Sequence, residues 1–387
     1  MIQDGIVYLS VLLAFAALVA LAEQKSRSKL FKAVPGIIFI YIGGALMQTM
    51  GVFGTSESID QTYSTVRSVL LPAMLILMLL HCDLRKIIKM GPKILLTFFA
   101  ASLTIILGFT ITYVLFKGLY AEGTWKAFAA LSGSWTGGSA NMVALQSILS
   151  VPENIFGYAL IMDTVNYSIW VMFMFWLVPF ADRFNRWTKA NTVTIPAVND
   201  QIAAANENRS ASIGFTELMM IIGFSLLLST ICTKIGNTLP EIGAVFNAST
   251  WAVVIASIIG MVLAMTKVAD IPGTNEVSKV MLYTIIALIA SQADFSQLFQ
   301  APIYIVSGFM ILLIHAVLML VLAKLFKLDL FTMGVASLAN IGGVASAPIL
   351  AGAYHQSLIP VGILMALLGN LLGTYYGLLI AHILSSL

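Results

Sequence analysis

Two cysteines, Cys82 and Cys232, cannot build a disulfide framework in a chain of 387 residues. Charge is nearly as scarce. Asp, Glu, Lys and Arg make up 10% of the chain, against about 25% in an ordinary soluble protein, and that excludes a soluble globular domain and a disordered chain alike. The net charge of +3 is too small and too dispersed for nucleic acid. Catalytic signatures are missing as well: there is no HExxH, paired CxxC, P-loop or Gly-x-Ser-x-Gly elbow. An enzyme and a bound cofactor are therefore not expected, and ion gradients remain as the source of energy. No basic stretch precedes the first apolar run, which is expected to be a retained span and not a cleaved signal.

What the chain has is apolar surface: 59% hydrophobic residues and a mean hydropathy of +0.97. The expected class is an all-α polytopic membrane protein. A spanning helix needs about 20 mostly apolar residues. Runs of this kind cover Ile6–Ala22, Ala33–Met50, Ser68–His81, Ile94–Phe116 and Ile155–Phe180 in the first part of the chain. Phe215–Cys232, Thr250–Thr266, Val280–Gln292, Pro302–Leu325 and Leu358–Ile383 follow. Two further runs, residues 127–150 and 331–353, are interrupted at their centres by Gly137-Gly138 and Gly342-Gly343 among hydroxyls and amides. Paired glycines break helices, and irregular backbone at membrane depth survives only where protein surrounds it.

Cytoplasmic flanks are enriched in Lys and Arg. If both interrupted runs turn back as hairpins and both termini lie outside, sixteen of the twenty Lys and Arg fall inside; if each run crosses once, nine do. Ten spans plus two re-entrant or broken-helix hairpins are therefore expected. The halves also resemble each other. The stretch from Leu80 to Pro92 matches that from Ala290 to Pro302, and Gly137-Gly138 precedes Gly342-Gly343 by 205 residues. Five spans and one hairpin per half make the halves inverted, the signature of a secondary transporter. The expected layout is a first repeat at residues 1–180 with scaffold spans 6–50 and core spans 68–180. A cytoplasmic linker, 181–212, leads to a second repeat at 213–387 with scaffold spans 215–266 and core spans 280–387.

Asp163 is the one carboxylate well inside a span, where a charge costs at least about 2.5–3.5 kcal/mol and usually faces a cavity or partner. Asn166 follows three residues later on the same helix face. These two, with Asn141 and more weakly Asn370, are the candidate ion ligands, and Asp163 is the candidate for Na⁺. Thr136, Gly137, Gly138 and Ser139 in the first hairpin, with Asn340, Gly342, Gly343 and Ser346 in the second, are the candidate substrate contacts. Half-helix N-termini there offer N–H groups to an anion, and freed carbonyls suit Na⁺. His355 reads as interfacial, and His81-Cys82-Asp83 as a helix end. The small residues of the stretch Tyr41–Leu46 suggest a dimer contact.

The motifs Ser134-Trp135-Thr136-Gly137-Gly138-Ser139-Ala140-Asn141 and Asn340-Ile341-Gly342-Gly343-Val344-Ala345-Ser346-Ala347-Pro348 carry a resemblance. Over nearly its whole length the chain resembles the YjcL-like family of uncharacterised bacterial membrane proteins. More distantly it is similar to the superfamily of cation:proton antiporters, bile-acid:sodium symporters and sodium–glutamate and sodium–citrate symporters. That resemblance implies a homodimer in the bacterial inner membrane, with a scaffold domain and an elevator-like core. The glutamate and citrate symporters carry Gly-Gly-x-Gly in their hairpins, where this chain has Ala140 and Ala345. The expectation is Na⁺- or H⁺-coupled movement of a small, anionic organic solute such as an amino acid, a carboxylate or a short peptide. The alternative is a cation/proton antiporter without an organic substrate. The expected partners are the solute, membrane lipid and a second copy of the chain; nucleic acid is not expected.

Overall fold

A computed structural model describes residues 1–25, 36–190, 213–241, 247–292, 301–354 and 358–387. Among the described residues it is helical, apart from a single bridge pairing Ile2 with Phe53. In the first half run α1 (Gly5–Lys25), α2 (Gly36–Thr49), α3 (Glu57–Leu79), α4 (Leu84–Ile88) and α5 (Pro92–Phe116). They are followed by α6 (Thr124–Gly137), α7 (Ser139–Ile148), α8 (Glu153–Leu177) and α9 (Ala181–Thr188). The second half holds α10 (Phe215–Gly236), α11 (Ala248–Ala264), α12 (Thr274–Ala290) and α13 (Ala301–Phe326). It ends with α14 (Leu330–Ile341), α15 (Gly343–Tyr354) and α16 (Ile359–Ser385).

Among the described residues seven stretches, carried by α1, α3, α5, α8, α10, α13 and α16, are long and apolar enough to cross a membrane. The chain is a helical, polytopic membrane protein. The other three apolar runs read from the sequence carry the shorter helices α2, α11 and α12. Helix α3 starts at Glu57, with Ser56 as its cap. Arg67, one residue before the apolar run that begins at Ser68, therefore belongs to the helix. Its guanidinium donates to Tyr63 Oη (2.6 Å) and to Gln146 Oε1. Charge alone could not place that boundary, because the first turns of α3 are polar. His355, residues 191–212 of the linker and residues 293–300 of the repeated stretch lie outside the described residues.

The chain divides into two compact units. The first comprises residues 1–80, 146–164 and 212–302. Its described helices are α1, α2, α3, α10, α11 and α12, with the opening turns of α8. Ile76 of α3, Cys232 of α10 and Ala256 of α11 are fully buried together at its centre. Burying such side chains is worth about 25 cal/mol per Å² of apolar surface where the alternative is water, but between helices in lipid close packing takes over that role. The glycines of α2 serve it: Gly43 packs on Phe15 and Gly44 on Ala290. The stretch read as a dimer contact thus uses its glycines inside the chain.

The second unit comprises residues 81–145, 165–211 and 303–387 and carries the second interrupted segment and the first as far as Leu145. Each segment is two short helices joined at the glycine pair. In the second, the rings of Phe331 and Tyr354, one at each end of the segment, are 5.5 Å apart. A straight helix would separate them by about 35 Å at 1.5 Å per residue, so α14 and α15 fold back on each other. In the first, Gly133 of α6 lies so close to Leu145 of α7 that no Cβ fits between them; that pair folds back as well. The turns need glycine, because Gly138 has φ +94° and Gly343 φ +55°, and this region costs an L-residue about 1–2 kcal/mol.

Candidate functional site

The two breaks meet on one residue. A Cβ on Gly138 would lie 3.4 Å from Asn370 Oδ1, and one on Gly343 would lie 4.0 Å from the same atom. Asn370, the weakest ligand candidate from sequence, is thus the amide that both hairpin turns face, and it is half-buried. Helix α16 can approach so closely because its Gly369, Gly373 and Gly377 run against α6. The Cα atom of Gly137 sits 2.7 Å from the place where a Gly373 Cβ would be. Gly137 is therefore a packing residue against α16. Thr136 is fully buried and donates its hydroxyl to Ser132 O at 2.7 Å, whereas Ser139, just after the break, is half-buried.

Asn141 has no spare bonding capacity. Its Nδ2 donates to the carbonyls of Gly137 (2.8 Å) and Asn370 (3.2 Å). Its Oδ1 accepts the Thr374 backbone N–H (3.1 Å) and hydroxyl (2.6 Å). Asn370 O and Thr374 N–H are the i, i+4 pair of one helical rung, so the side-chain amide engages both ends of a rung in α16. That uses all four of its hydrogen-bonding positions. Asn340 is engaged as well: its Oδ1 accepts from Ser102 Oγ (2.7 Å), and its Nδ2 donates to Ala336 O (2.9 Å).

Two other candidates have unspent capacity. Asn166 is fully buried and donates Nδ2 to Ile305 O (3.0 Å), but its Oδ1 has no partner among the described residues. Ser346 is 4% exposed, and its hydroxyl has no partner among the described residues. It lies beside Gly342, where a Cβ would also come within 2.7 Å of the Tyr167 ring. An unmet buried polar group costs about 1–3 kcal/mol, and such groups are exceptions that call for a reason. Asp163 is half-buried near the middle of α8, one turn before Asn166 and Tyr167 on the same helix. Sequence reading thus picked residues at both breaks, and two of them, Asn141 and Gly137, fasten the first break to α16.

Sequence reading passed over His315, the one histidine in the middle of an apolar run. It is fully buried in α13 between α5 and α14. Thr104 donates its hydroxyl to Ala101 O (2.8 Å), so it accepts from His315 Nδ1–H (2.7 Å). On the other side Trp170 Nε1–H donates to Ser337 Oγ (3.0 Å), and the serine hydroxyl donates to His315 Nε2 (2.9 Å). A neutral imidazole satisfies every partner in this chain. The available signal was the general one, that an ionisable residue inside a span is a functional candidate; only carboxylates had been weighed.

Buried Asp329 caps α14, accepting from Thr332 N–H (2.7 Å) and hydroxyl (2.9 Å), and pairs with Lys93 at 2.9 Å. Asp83 in the His81-Cys82-Asp83 run caps α4. The hydrogen bond from Arg85 holds its carboxyl below the ordinary aspartate range, which agrees with the helix-end reading.

The family described as "Protein of unknown function (DUF819)" matches residues 10–387. Among curated proteins, the "Uncharacterized membrane protein YjcL" of Bacillus subtilis (strain 168) is 22% identical over 372 residues, covering 91% of each chain.

Proposed function

From the premise that the chain belongs to the DUF819 family, we propose that it is a secondary active transporter. It couples a Na⁺ or H⁺ gradient to movement of a small, anionic organic solute across the inner membrane. The observation that carries this reading is the meeting of two glycine-broken helix pairs on Asn370. Broken helices that converge in this way present backbone N–H and C=O groups to a solute and an ion without a water-filled pore. The helix starts at Ser139 and Gly343 offer donors to an anionic group, with Ser346 and Asn370 beside them. Asp163 and the unmet Asn166 Oδ1 supply oxygen for a coupling cation. The fit to Na⁺ rests on that donor set, since a hard cation takes oxygen ligands.

Ten spans in two inverted repeats fit this reading. Each half gives three helices to the first unit and its hairpin to the second, and Thr104 pairs with His315, 211 residues later, the spacing that also separates Asp83 from Asp294. In an elevator-like cycle the hairpin-bearing unit is the moving body. The first unit, with α3 and α12 included, is the scaffold, and a homodimer of scaffolds anchors it.

Thermal stability in Na⁺ against choline, for the wild type and Asp163→Asn, tests the proposal. A cation at a hundred times its dissociation constant adds about 2.7 kcal/mol. The expected result is a Na⁺-dependent rise that the mutation removes. A pH-dependent difference without a Na⁺ effect transfers the coupling to protons, and no difference of either kind defeats the site. Flux of Na⁺ or K⁺ driven by ΔpH alone would decide for the antiporter.

A further inference from the structure

The short helix α9 lies next to the second hairpin's entrance and has no part in the transport reading. Its sequence is amphipathic. Phe184 and Trp187 share one face with Phe180 just before the helix; Asp182, Arg186 and Lys189 lie opposite, and Arg183 is at the border. Trp176, Phe180 and Trp187 are 61%, 41% and 46% exposed, the pattern of aromatic side chains at a membrane–water interface. Arg183, Arg186 and Lys189 are exposed, as are Lys324 and Lys327 at the end of α13. Among the described residues the ion pairs are Asp83–Arg85 and Lys93–Asp329, so none of these five cations is neutralised by a carboxylate.

The helix is also wired to the hairpin. Asn185 Oδ1 accepts the backbone N–H of Leu330 (2.9 Å), the first residue of α14. Lys324 donates to Trp187 O, and its ammonium stands 4.9 Å from the centre of that indole ring. One N–H at the start of α14 is thus met from α9, and that of Thr332 from Asp329.

We propose that α9 and the lysines at the end of α13 form a docking surface for anionic lipid headgroups, and that occupancy of this surface steadies the entrance of the second hairpin through Asn185. Exposed basic residues beside an aromatic belt gain from the negative potential of an anionic leaflet, and the hydrogen bond to Leu330 passes that restraint to α14.

The test uses the full chain in nanodiscs at low salt, made either of phosphatidylcholine or of phosphatidylcholine with phosphatidylglycerol. Brominated lipids quench tryptophan, and the Trp187 contribution is the difference between the wild type and Trp187→Phe. The expected result is quenching about twofold stronger by brominated phosphatidylglycerol than by brominated phosphatidylcholine. The excess should vanish in Arg183→Gln/Arg186→Gln/Lys189→Gln and in high salt, and return when Lys occupies the arginine positions. Equal quenching by the two lipids, or a preference that survives the triple substitution, overturns the docking surface. Hydrogen exchange at Leu330–Met333 reads the coupling. Phosphatidylglycerol should slow it in the wild type and leave it unchanged in Asn185→Ala, with the quenching preference intact. Exchange indifferent to lipid in the wild type overturns the coupling. Neither readout depends on the transported solute.

Discussion

The two hairpins share one turn and finish it in opposite ways. The first is fastened at its tip, where Asn141 takes both ends of a rung in α16 and Gly137 lies against Gly373. Its opening helix α6 starts on left-handed Gly123, with no side-chain cap. The second is fastened at its base: Asp329 caps α14 and holds Lys93, Asn185 meets Leu330, and Phe331 stacks edge-on against Tyr354. At its tip stands Ser346, 205 residues after Asn141, with an unmet hydroxyl. A repeat that was structurally equivalent throughout would have met both tips. The difference is that the first tip is closed by the chain's own groups, whereas the second keeps a hydroxyl with no partner among the described residues.

The largest effect should come at the base of the second hairpin. Asp329→Ala removes the cap of α14 and strands a partly exposed Lys93, a loss of about 3 kcal/mol. Chemical or thermal unfolding in detergent measures it. Asp329→Asn, which still accepts from Thr332, should recover part of it. If alanine costs less than about 1 kcal/mol, the second hairpin is not held at its base, and the contrast between the two fails on that side. Next comes the tip of the first hairpin. Asn141→Leu keeps the branched heavy-atom shape but leaves Asn370 O and the Thr374 hydroxyl without the amide, and should cost about 2 kcal/mol. It should do so equally with and without Na⁺. Were Asn141 an ion ligand, the loss would instead grow when Na⁺ is present.

Much of this contrast could be read before the structure, and the rest could not, for identifiable reasons. The glycine pairs announced the breaks because few other residues accept the backbone that Gly138 and Gly343 adopt. Asn166 and Ser346 stood out as polar groups in apolar runs. Whether an amide is spent or free, however, depends on what faces it from a segment far away in sequence. Asn141 is spent because α16, more than 200 residues later, offers a carbonyl and an N–H at the right rise. The turn-back of α14 on α15 was legible only as one of two options, since charge bias counts flanks and not geometry; the Phe331–Tyr354 contact decides it. His315 was missed through a choice of residue type, and Arg67 because a polar first turn hides where α3 begins.

The smallest effect on stability, and the sharpest on function, belongs to Ser346. Removing a buried hydroxyl that has no partner takes away a desolvation cost and no hydrogen bond, so Ser346→Ala should be neutral or stabilising by less than about 1 kcal/mol without ligand. If the unmet oxygen serves the transported solute or its ion, the same variant should lose part of the stabilisation that the ligand confers. The two tips then respond oppositely to the same kind of change: alanine at 346 alters binding and spares the fold, whereas leucine at 141 alters the fold and spares binding. Ser346→Asn goes further, because it places at the second tip the amide that closes the first. If the new side chain finds backbone partners in α8 as Asn141 does in α16, the protein should gain stability and stop responding to Na⁺. A stable Ser346→Asn protein that still responds would show that the hydroxyl at the second tip is not where the ligand is felt.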